Sequence, residues 1–376
     1  MPPLNHFVAV EPLQADQRRA NGSTADAGAD AVGRGATRGG RRRGPAPLWG
    51  AVLVVLLVAS VVAAVAIGPA GLTPADVWNS VLAHLGVGKP TLPALRDGIV
   101  WQLRMPRVLT AAAVGAGLAL CGVIMQAVTR NPLADPYLLG LSSGASVGAV
   151  IVVVLGWAIA LPVAAFAGAL LALVATLGLA GSGGRITPTR TVLAGLAVSS
   201  VFGAVTSLII FWSATGDSYR EILNWLLGSL AGARWSSVAV TVAALVVVGI
   251  PLLASARSLD AFAFGDTTAS ALGVHVNRTR WLLLGGTAVL TGVLVSVSGA
   301  IGFVGLILPH AVRLLTGPGH RALLPLSALA GALFLVWADT AARTLFDPRE
   351  LPVGILTALV GGPVFSLLML RSRRIS

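Results

Sequence analysis

Residues 281–312 read WLLLGGTAVLTGVLVSVSGAIGFVGLILPHAV, a run without a single Asp, Glu, Lys or Arg. As one α-helix this run would be about 48 Å long, whereas the hydrocarbon core of a bilayer is about 30 Å thick. The run is therefore long enough for two crossings, and the small residues Ser298, Gly299 and Gly302 mark the interruption between them. We predict a membrane protein in which two helices share this one apolar stretch.

The composition of the whole chain agrees with a membrane location. The chain is 56% hydrophobic and 11% charged, whereas about a quarter of the residues of a soluble domain are charged. A net charge of +12 could indicate nucleic-acid binding, but the basic residues stand at the ends of apolar runs. We therefore expect contact with membrane lipid and no nucleic-acid partner.

Apolar runs of membrane-spanning length predict an all-α polytopic fold with about ten transmembrane helices. A crossing helix needs about 20 apolar residues, and Tyr137–Ala180 is a second run of double length, broken near Gly156, Trp157 and Pro162. The predicted spans are Leu48–Leu72, Val108–Val128, two within Tyr137–Ala180, Thr191–Gly216, Ser236–Ala256, two within Trp281–Val312, Leu323–Ala338 and Leu351–Leu370.

The positions of the basic residues orient these ten spans. Ten crossings place both termini on one side of the membrane. With that side in the cytoplasm, eighteen of the 26 Lys and Arg residues fall inside and eight outside, in the direction of the positive-inside rule. We expect a multi-pass protein of the cytoplasmic (inner) cell membrane with both termini in the cytoplasm.

The first 45 residues differ in composition from everything that follows. Residues 1–45 are rich in Gly, Ala, Arg and Asp and have few bulky apolar side chains, so they cannot offset the entropy of ordering. We interpret them as a disordered basic cytoplasmic tail that precedes a transmembrane domain, residues 46–376. A cleaved signal peptide is the alternative, but the run Leu48–Leu72 is longer than the 7–15 apolar residues of such signals.

The sequence offers little that could hold a nucleotide or a metal. Lys89 is the only lysine, and Pro90 follows it where a phosphate-binding loop requires Ser or Thr. Cys121 is the only cysteine, and the five histidines show no metal-ligand spacing. We expect no catalytic residue, no metal site and no cofactor in this chain.

Three arginines stand out among the eight basic residues on the predicted outer side, where the charge rule disfavours them. Arg104 and Arg107 flank Met105-Pro106, and Arg343 follows Asp339 by four residues, a spacing that predicts an ion pair along one helix. Anchoring at lipid headgroups would explain the arginines structurally. The functional interpretation is a docking point for an acidic external partner.

A polar loop at residues 257–280 is longer than ordinary connections. Asp260 to Phe264 predicts a short helix stopped by Gly265. Asp266 suits an N-cap for a second short helix over residues 267–272, which takes in Ala271 and Leu272, and Gly273 suits the position after its end. The loop is either a plain connection or a surface for another protein.

The motifs together resemble the FecCD-type permeases of binding-protein-dependent ABC importers, which carry iron-siderophore complexes, haem or cobalamin. The matching pieces run in family order over roughly residues 48–372. They are Arg104-Met105-Pro106-Arg107, Gln126 to Gly140 with Asn131-Pro132-Leu133-Ala134-Asp135-Pro136, Trp225 to Leu230, Gly265-Asp266, Ala271 to Val274, Gly302 to Leu306, Pro309-His310, Ala338-Asp339, Arg343 and Glu350 to Gly354.

This resemblance implies the type II ABC importer permease fold and a set of partners. These are a second permease subunit, identical or different, two subunits that bind and hydrolyse ATP, and an extracytoplasmic substrate-binding protein. Asp260, Phe264, Gly265, Asp266, Ala271, Leu272 and Gly273 would couple to the ATPase, and Arg104, Arg107 and Arg343 would meet acids of the binding protein. Ser298-Gly299 departs from the glycine-proline pattern common in the family.

Transport of a ferric siderophore, by a permease that is not itself an enzyme, is the function we expect. Haem and cobalamin are alternative cargoes of the same class of importer. An ion-coupled secondary transporter is a further alternative, but that mechanism calls for ionisable groups near the membrane centre. Asp339 lies near the outer end of its predicted helix.

Overall fold

The computed structural model describes residues 46–88, 92–157, 161–182, 187–213 and 216–372. The described residues form α-helices and no β-strand, as the all-α prediction requires. The proposed tail, residues 1–45, lies outside the described residues, as do Lys89 and Pro90. The helices are α1 Ala46–Ala66, α2 Pro74–His84, α3 Ala94–Gly98, α4 Met105–Thr129, α5 Leu141–Val154, α6 Leu161–Gly181, α7 Pro188–Ser213, α8 Gly216–Leu226, α9 Trp235–Ala244, α10 Ile250–Ala254, α11 Ala256–Phe262, α12 Asp266–Ala271, α13 Val276–Ser298, α14 Val304–Thr316, α15 His320–Thr344 and α16 Val353–Ser372.

Ten apolar helices account for the predicted spans. Among the described residues, seven helices are long and apolar enough to cross a membrane, and α5, α14 and the apolar part of α16 (Val353–Leu367) are shorter apolar helices. The two double-length runs are both interrupted where the sequence predicts, between α5 and α6 and between α13 and α14. The prediction of about ten helices is confirmed.

The second span begins earlier than predicted. A π-helical segment, Ile99–Arg104, joins α3 to α4, so one continuous helix of 36 residues covers Ala94–Thr129. The expected start at Val108 was wrong because charged residues were assumed to end the apolar helix. Arg104 and Arg107 instead lie within the helix, where intrachain partners accept their hydrogen bonds.

Two short helices outside the ten spans were not predicted. Helix α2 begins with a capping box, in which Thr73 Oγ1 accepts from the Asp76 backbone N–H at 3.2 Å and the Asp76 carboxylate accepts from the Thr73 N–H at 2.9 Å. The hydrogen bonds that the Asp76 carboxylate accepts from the backbone N–H and the hydroxyl of Thr73 lower the pKa of Asp76. Helix α8 buries Ile222 against Val150 and Val153 of α5.

Helix α4 is the centre of the bundle. The window of α4 that could span the membrane is 83% buried, far more than the corresponding window of α1. Glycines let its backbone touch two neighbours: a Cβ on Gly115 would lie 2.2 Å from the carbonyl oxygen of Gly331 in α15, and one on Gly122 would lie 1.9 Å from that of Gly305 in α14. Small residues permit this close packing of membrane helices.

Candidate functional site

The bundle has two ends that carry the predicted site residues. The arginine end is the end at which Arg104, Arg107 and Arg343 lie. The loop end is the end at which residues 255–275 lie, with the short helices α11 and α12. Helix α4 runs from the arginine end to the loop end, and α15 runs in the opposite direction.

At the arginine end, Arg107 of α4 binds two acids. Its Nε lies 2.8 Å from Oδ2 of Asp339 in α15 and its Nη2 lies 3.0 Å from Oδ1, a two-point contact between guanidinium and carboxylate. Its Nη1 donates to Glu350 Oε2 at 2.7 Å. The Asp339 side chain is 1% exposed, whereas that of Glu350 is 49% exposed. The predicted ion pair between Asp339 and Arg343 along α15 was therefore wrong, because Arg107 takes the carboxylate.

Arg104 and Arg343 donate hydrogen bonds to backbone carbonyls at the end of α1. Arg104 Nη1 donates to the carbonyl oxygens of Val65 and Ala66 at 2.8 and 3.1 Å. Arg343 donates to the carbonyls of Ala64 and Ile67. The last carbonyls of a helix have no partner within the helix, and cations are favourable there. This arrangement explains why arginines are buried at this end of an apolar bundle.

The three arginines of the predicted docking point do lie together, but much of their surface is covered. Arg104 is 8% exposed and the Arg107 side chain 11% exposed. Their donors already serve α1, Asp339 and Glu350 within the chain. Docking to an acidic external partner stays a prediction, and the half-exposed Glu350 is the acid that such a partner would meet beside Arg107.

At the loop end, the two short helices exist with shifted bounds. Helix α11 ends at Phe262, so Phe264 stands in the turn after it and is 73% exposed. The N-cap of α12 is Gly265, with φ of +94°, and not Asp266 as predicted. Asp266 lies in the first turn, where its carboxylate binds Arg130 and Arg280 instead of capping the helix.

The end of α12 agrees with the sequence. Gly273 has φ of +85°, and the N–H groups of Gly273 and Val274 donate to the carbonyls of Ser270 and Ala269 at 3.0 Å each. This is the Schellman arrangement, in which a glycine takes the left-handed backbone just after a helix. Ala271 and Leu272 are exposed beside it, so the loop presents a partly apolar surface.

The interruption at residues 299–303 gathers motifs that are far apart in sequence. The hydroxyl of Tyr137 accepts from the Ile301 N–H at 3.1 Å and donates to its carbonyl at 3.0 Å. The Ser229 N–H donates to the Ser298 carbonyl at 2.9 Å, and the Gly354 N–H to the Gly228 carbonyl at 3.2 Å. Tyr137 belongs to a segment that follows the loop end of α4. Gly228 and Ser229 lie between α8 and α9, and Gly354 lies in the first turn of α16, both towards the arginine end.

Gln126 secures the helix that follows the interruption. Its amide nitrogen donates to the carbonyls of Gly305 and Leu306 at 3.3 and 3.2 Å, and its oxygen accepts from Arg313 at 3.3 Å. These hydrogen bonds of Gln126 join α4 to α14. Because Gly305 touches Gly122 in the interior of α4, the interruption lies within the bundle and not at its surface.

Four residues of these sites were missed in the sequence. They are Tyr137 at the interruption, and Arg130, Arg280 and His320 at the loop end, and each binds a residue on another element of the fold. Arg130 ends α4 with a left-handed φ of 51° although it is not glycine, a feature that only the structure reveals. No described group of three or more His, Cys, Asp or Glu residues is placed to hold a metal ion.

Comparison with known proteins gives consistent matches over most of the chain. A model of the FecCD transport family matches residues 56–371. The chain is 42% identical to the cobalamin import system permease protein BtuC of Halobacterium salinarum, over 87% of this chain and 96% of that protein. It is 39% identical to the hemin transport system permease protein HmuU of Yersinia pestis, over 85% and 95% of the two chains.

One solved structure is similar in both sequence and fold. It is an inward-facing conformation of an ABC transporter described as being of the metal-chelate type. The TM-score is 0.76 at 33% sequence identity, and the match covers 86% of this chain and 99% of that one.

Proposed function

Because the chain belongs to the FecCD transport family and is an ABC importer permease, we propose that it moves a metal chelate inward across the cell membrane. The observation that carries the proposal is the interruption at residues 299–303, inside the bundle and contacted by segments from both ends. Irregular backbone at membrane depth is tolerated where it is buried in protein or lines a cavity. A path that opens at either end could be controlled at such a place.

ATP hydrolysis belongs, in this proposal, to two separate subunits that bind the loop end. The chain has no phosphate-binding loop, and the turns that follow α11 and α12 present the exposed side chains of Phe264 and Leu272. Such a surface suits the cleft of another protein. The loop end would then face the cytoplasm, together with both termini, and a second permease subunit would complete the membrane part.

The identity of the transported molecule is the more specific part of the proposal. A ferric siderophore stays our prediction, with haem and cobalamin as the alternatives. The names of the two relatives above favour testing cobalamin and haem with equal care. An ion-coupled mechanism is not favoured, since the buried Asp339 already has a tight partner in Arg107.

Uptake by whole cells tests the proposal. Cells deleted for this chain and complemented with it should accumulate one labelled cargo among ferric siderophore, haem and cobalamin at nanomolar supply. The deletion strain should not accumulate that cargo. Uptake should continue when a protonophore collapses the ion gradient while ATP is maintained. Uptake that stops with the gradient would instead show ion-coupled transport.

Docking at the arginine end can be tested through Glu350. We propose that Arg104, Arg107 and Arg343 attract carboxylates of an extracytoplasmic binding protein, and that Glu350 competes with these carboxylates for Nη1 of Arg107. Glu350→Gln should raise the association rate at low salt by roughly threefold and increase its salt dependence, as rim charges do. Asp347→Asn, an exposed acid three residues away, is the matched control for net charge. Equal effects of the two substitutions would leave only long-range attraction and no specific docking at Arg107.

A further inference from the structure

Helices α4 and α15 form one antiparallel pair that connects the two ends of the bundle. Their contact is the most extensive between any two described helices. Arg107 and Asp339 join them at the arginine end. Further along, a Cβ on Gly331 would lie 2.3 Å from the Gly115 carbonyl oxygen, so the two backbones touch. From Arg107 to Arg130 the helix α4 covers about 35 Å.

Helix α12 is attached to this pair through Asp266. Its Oδ1 accepts from Arg130, at the end of α4, at 3.0 Å and from Arg280, in α13, at 2.9 Å. The Arg280 guanidinium also lies 5.4 Å from the ring centre of Phe262 in α11. Arg280 is 3% exposed, whereas the side chains of Asp266 and Arg130 are each 42% exposed, so the contact ties a surface carboxylate to an arginine inside the bundle. The first short helix and the second therefore meet at one arginine.

Helix α11 has its own attachment to the opposite helix of the pair. Asp260 Oδ1 accepts from the backbone N–H of His320 at 3.0 Å, and the imidazole Nδ1 of His320 lies 2.6 Å from the same oxygen. His320 is the first residue of α15 and is 6% exposed. A carboxylate at the start of a helix also gains from the helix dipole.

We propose that Asp260 and Asp266 are positioning residues that make the loop end and the α4–α15 pair move as one rigid unit. Asp260 fixes α11 to α15, and Asp266 fixes α12 to α4 and α13. Through the contact of Arg107 with Asp339, the same unit reaches the arginine end. Events at the arginine end are thereby communicated to the surface that meets the ATPase. This inference rests on the proposed function.

The structure distinguishes this role from simple stabilisation of a loop. A loop that only needed its charges satisfied could find water or neighbouring side chains. The two aspartates instead bind partners 60, 136 and 14 residues away, on three different helices. Arg130 adopts a left-handed backbone, which is costly for a residue other than glycine, while its guanidinium binds Asp266.

Hydrogen exchange of the purified chain tests the attachment without any partner. In Asp266→Asn and in Asp260→Asn, amides of residues 256–273 should exchange at least about tenfold faster, because local opening becomes easier. Asp266→Glu keeps the charge and should restore most of the protection. On the partner side, Arg280→Gln should act like Asp266→Asn, and Arg278→Gln, an exposed arginine two residues earlier, is its matched control.

Coupling is measured with the full complex in lipid vesicles. In the two Asn variants the stimulation of ATP hydrolysis by loaded binding protein, expressed relative to each variant's own basal rate, should fall about fivefold, a size typical of residues that modulate coupling. Stimulation equal to wild type in both variants, with faster exchange, would overturn the inference. If the wild-type chain itself binds no ATPase and imports nothing with ATP, the proposed function fails instead.

Discussion

Asp339→Ala should lower the free energy of unfolding by about 3–5 kcal/mol, so that most of the protein molecules do not reach a stable folded state. The substitution removes the acceptor of two Arg107 nitrogens in a place where the carboxylate is 1% exposed. Water cannot replace the hydrogen bonds and the negative charge that the Arg107 guanidinium would lose at this buried place. Glu350 would still hold one nitrogen, but it lies at the exposed edge of the site.

The loss is measured by thermal unfolding of the detergent-solubilised protein and by its yield in the membrane. Glu350→Ala is the control on the same arginine, and it should cost no more than about 1 kcal/mol because the acid is half exposed. Replacing both charges, as Arg107→Leu with Asp339→Leu, should recover much of the stability, since an apolar pair needs no compensation. Equal losses in the Asp339→Ala and Glu350→Ala proteins would contradict this account of the site.

Gly122→Ala should destabilise the protein by roughly 3 kcal/mol or more, although it adds one methyl group. The new Cβ would stand 1.9 Å from the carbonyl oxygen of Gly305, and no side chain can move aside to make room. Helix α14 would have to shift as a whole. That shift would also break the hydrogen bonds from Gln126 to Gly305 and Leu306.

Gly203→Ala in α7 is the matched control for the effect of alanine on a helix. No atom lies within 4 Å of a Cβ at Gly203, so this change should be neutral or should stabilise by up to about 1 kcal/mol. Unfolding temperatures of the two variants are compared with wild type. A Gly122→Ala protein as stable as the Gly203→Ala protein would show that α4 and α14 do not pack as described.

The number of helices followed from the sequence because it depends on local quantities. Apolar runs have lengths that can be compared with the bilayer, and the glycines near residue 299 mark a break. The start of the second span did not follow, since Arg104 and Arg107 were treated as charges that end an apolar helix. Only the fold supplies the carbonyls and the carboxylate that allow arginines inside it.

In the candidate sites too, features that depend on the local sequence were predictable, and contacts between distant residues were not. Gly273 was placed correctly after its helix because the left-handed backbone is a local requirement of that position. The partner of Asp339 was predicted wrongly, because the i,i+4 spacing identifies only partners on the same helix, here Arg343. The two-point contact with Arg107, 232 residues away, fixes the carboxylate instead. Contacts of this length, including those of Asp266 and Tyr137, need the three-dimensional structure.

The arrangement at the end of α1 has a consequence for biogenesis. This helix is the first of the ten apolar helices to leave the ribosome, yet the window that could span the membrane is only 17% buried in the finished bundle. Two of the carbonyls at its end accept hydrogen bonds from Arg343, so these bonds cannot form until 343 of the 376 residues have been synthesised. The first of these helices to be synthesised is thus among the last to complete its hydrogen bonds. A nascent chain that stalls before α15 has an α1 whose last carbonyls lack the hydrogen bonds from Arg343.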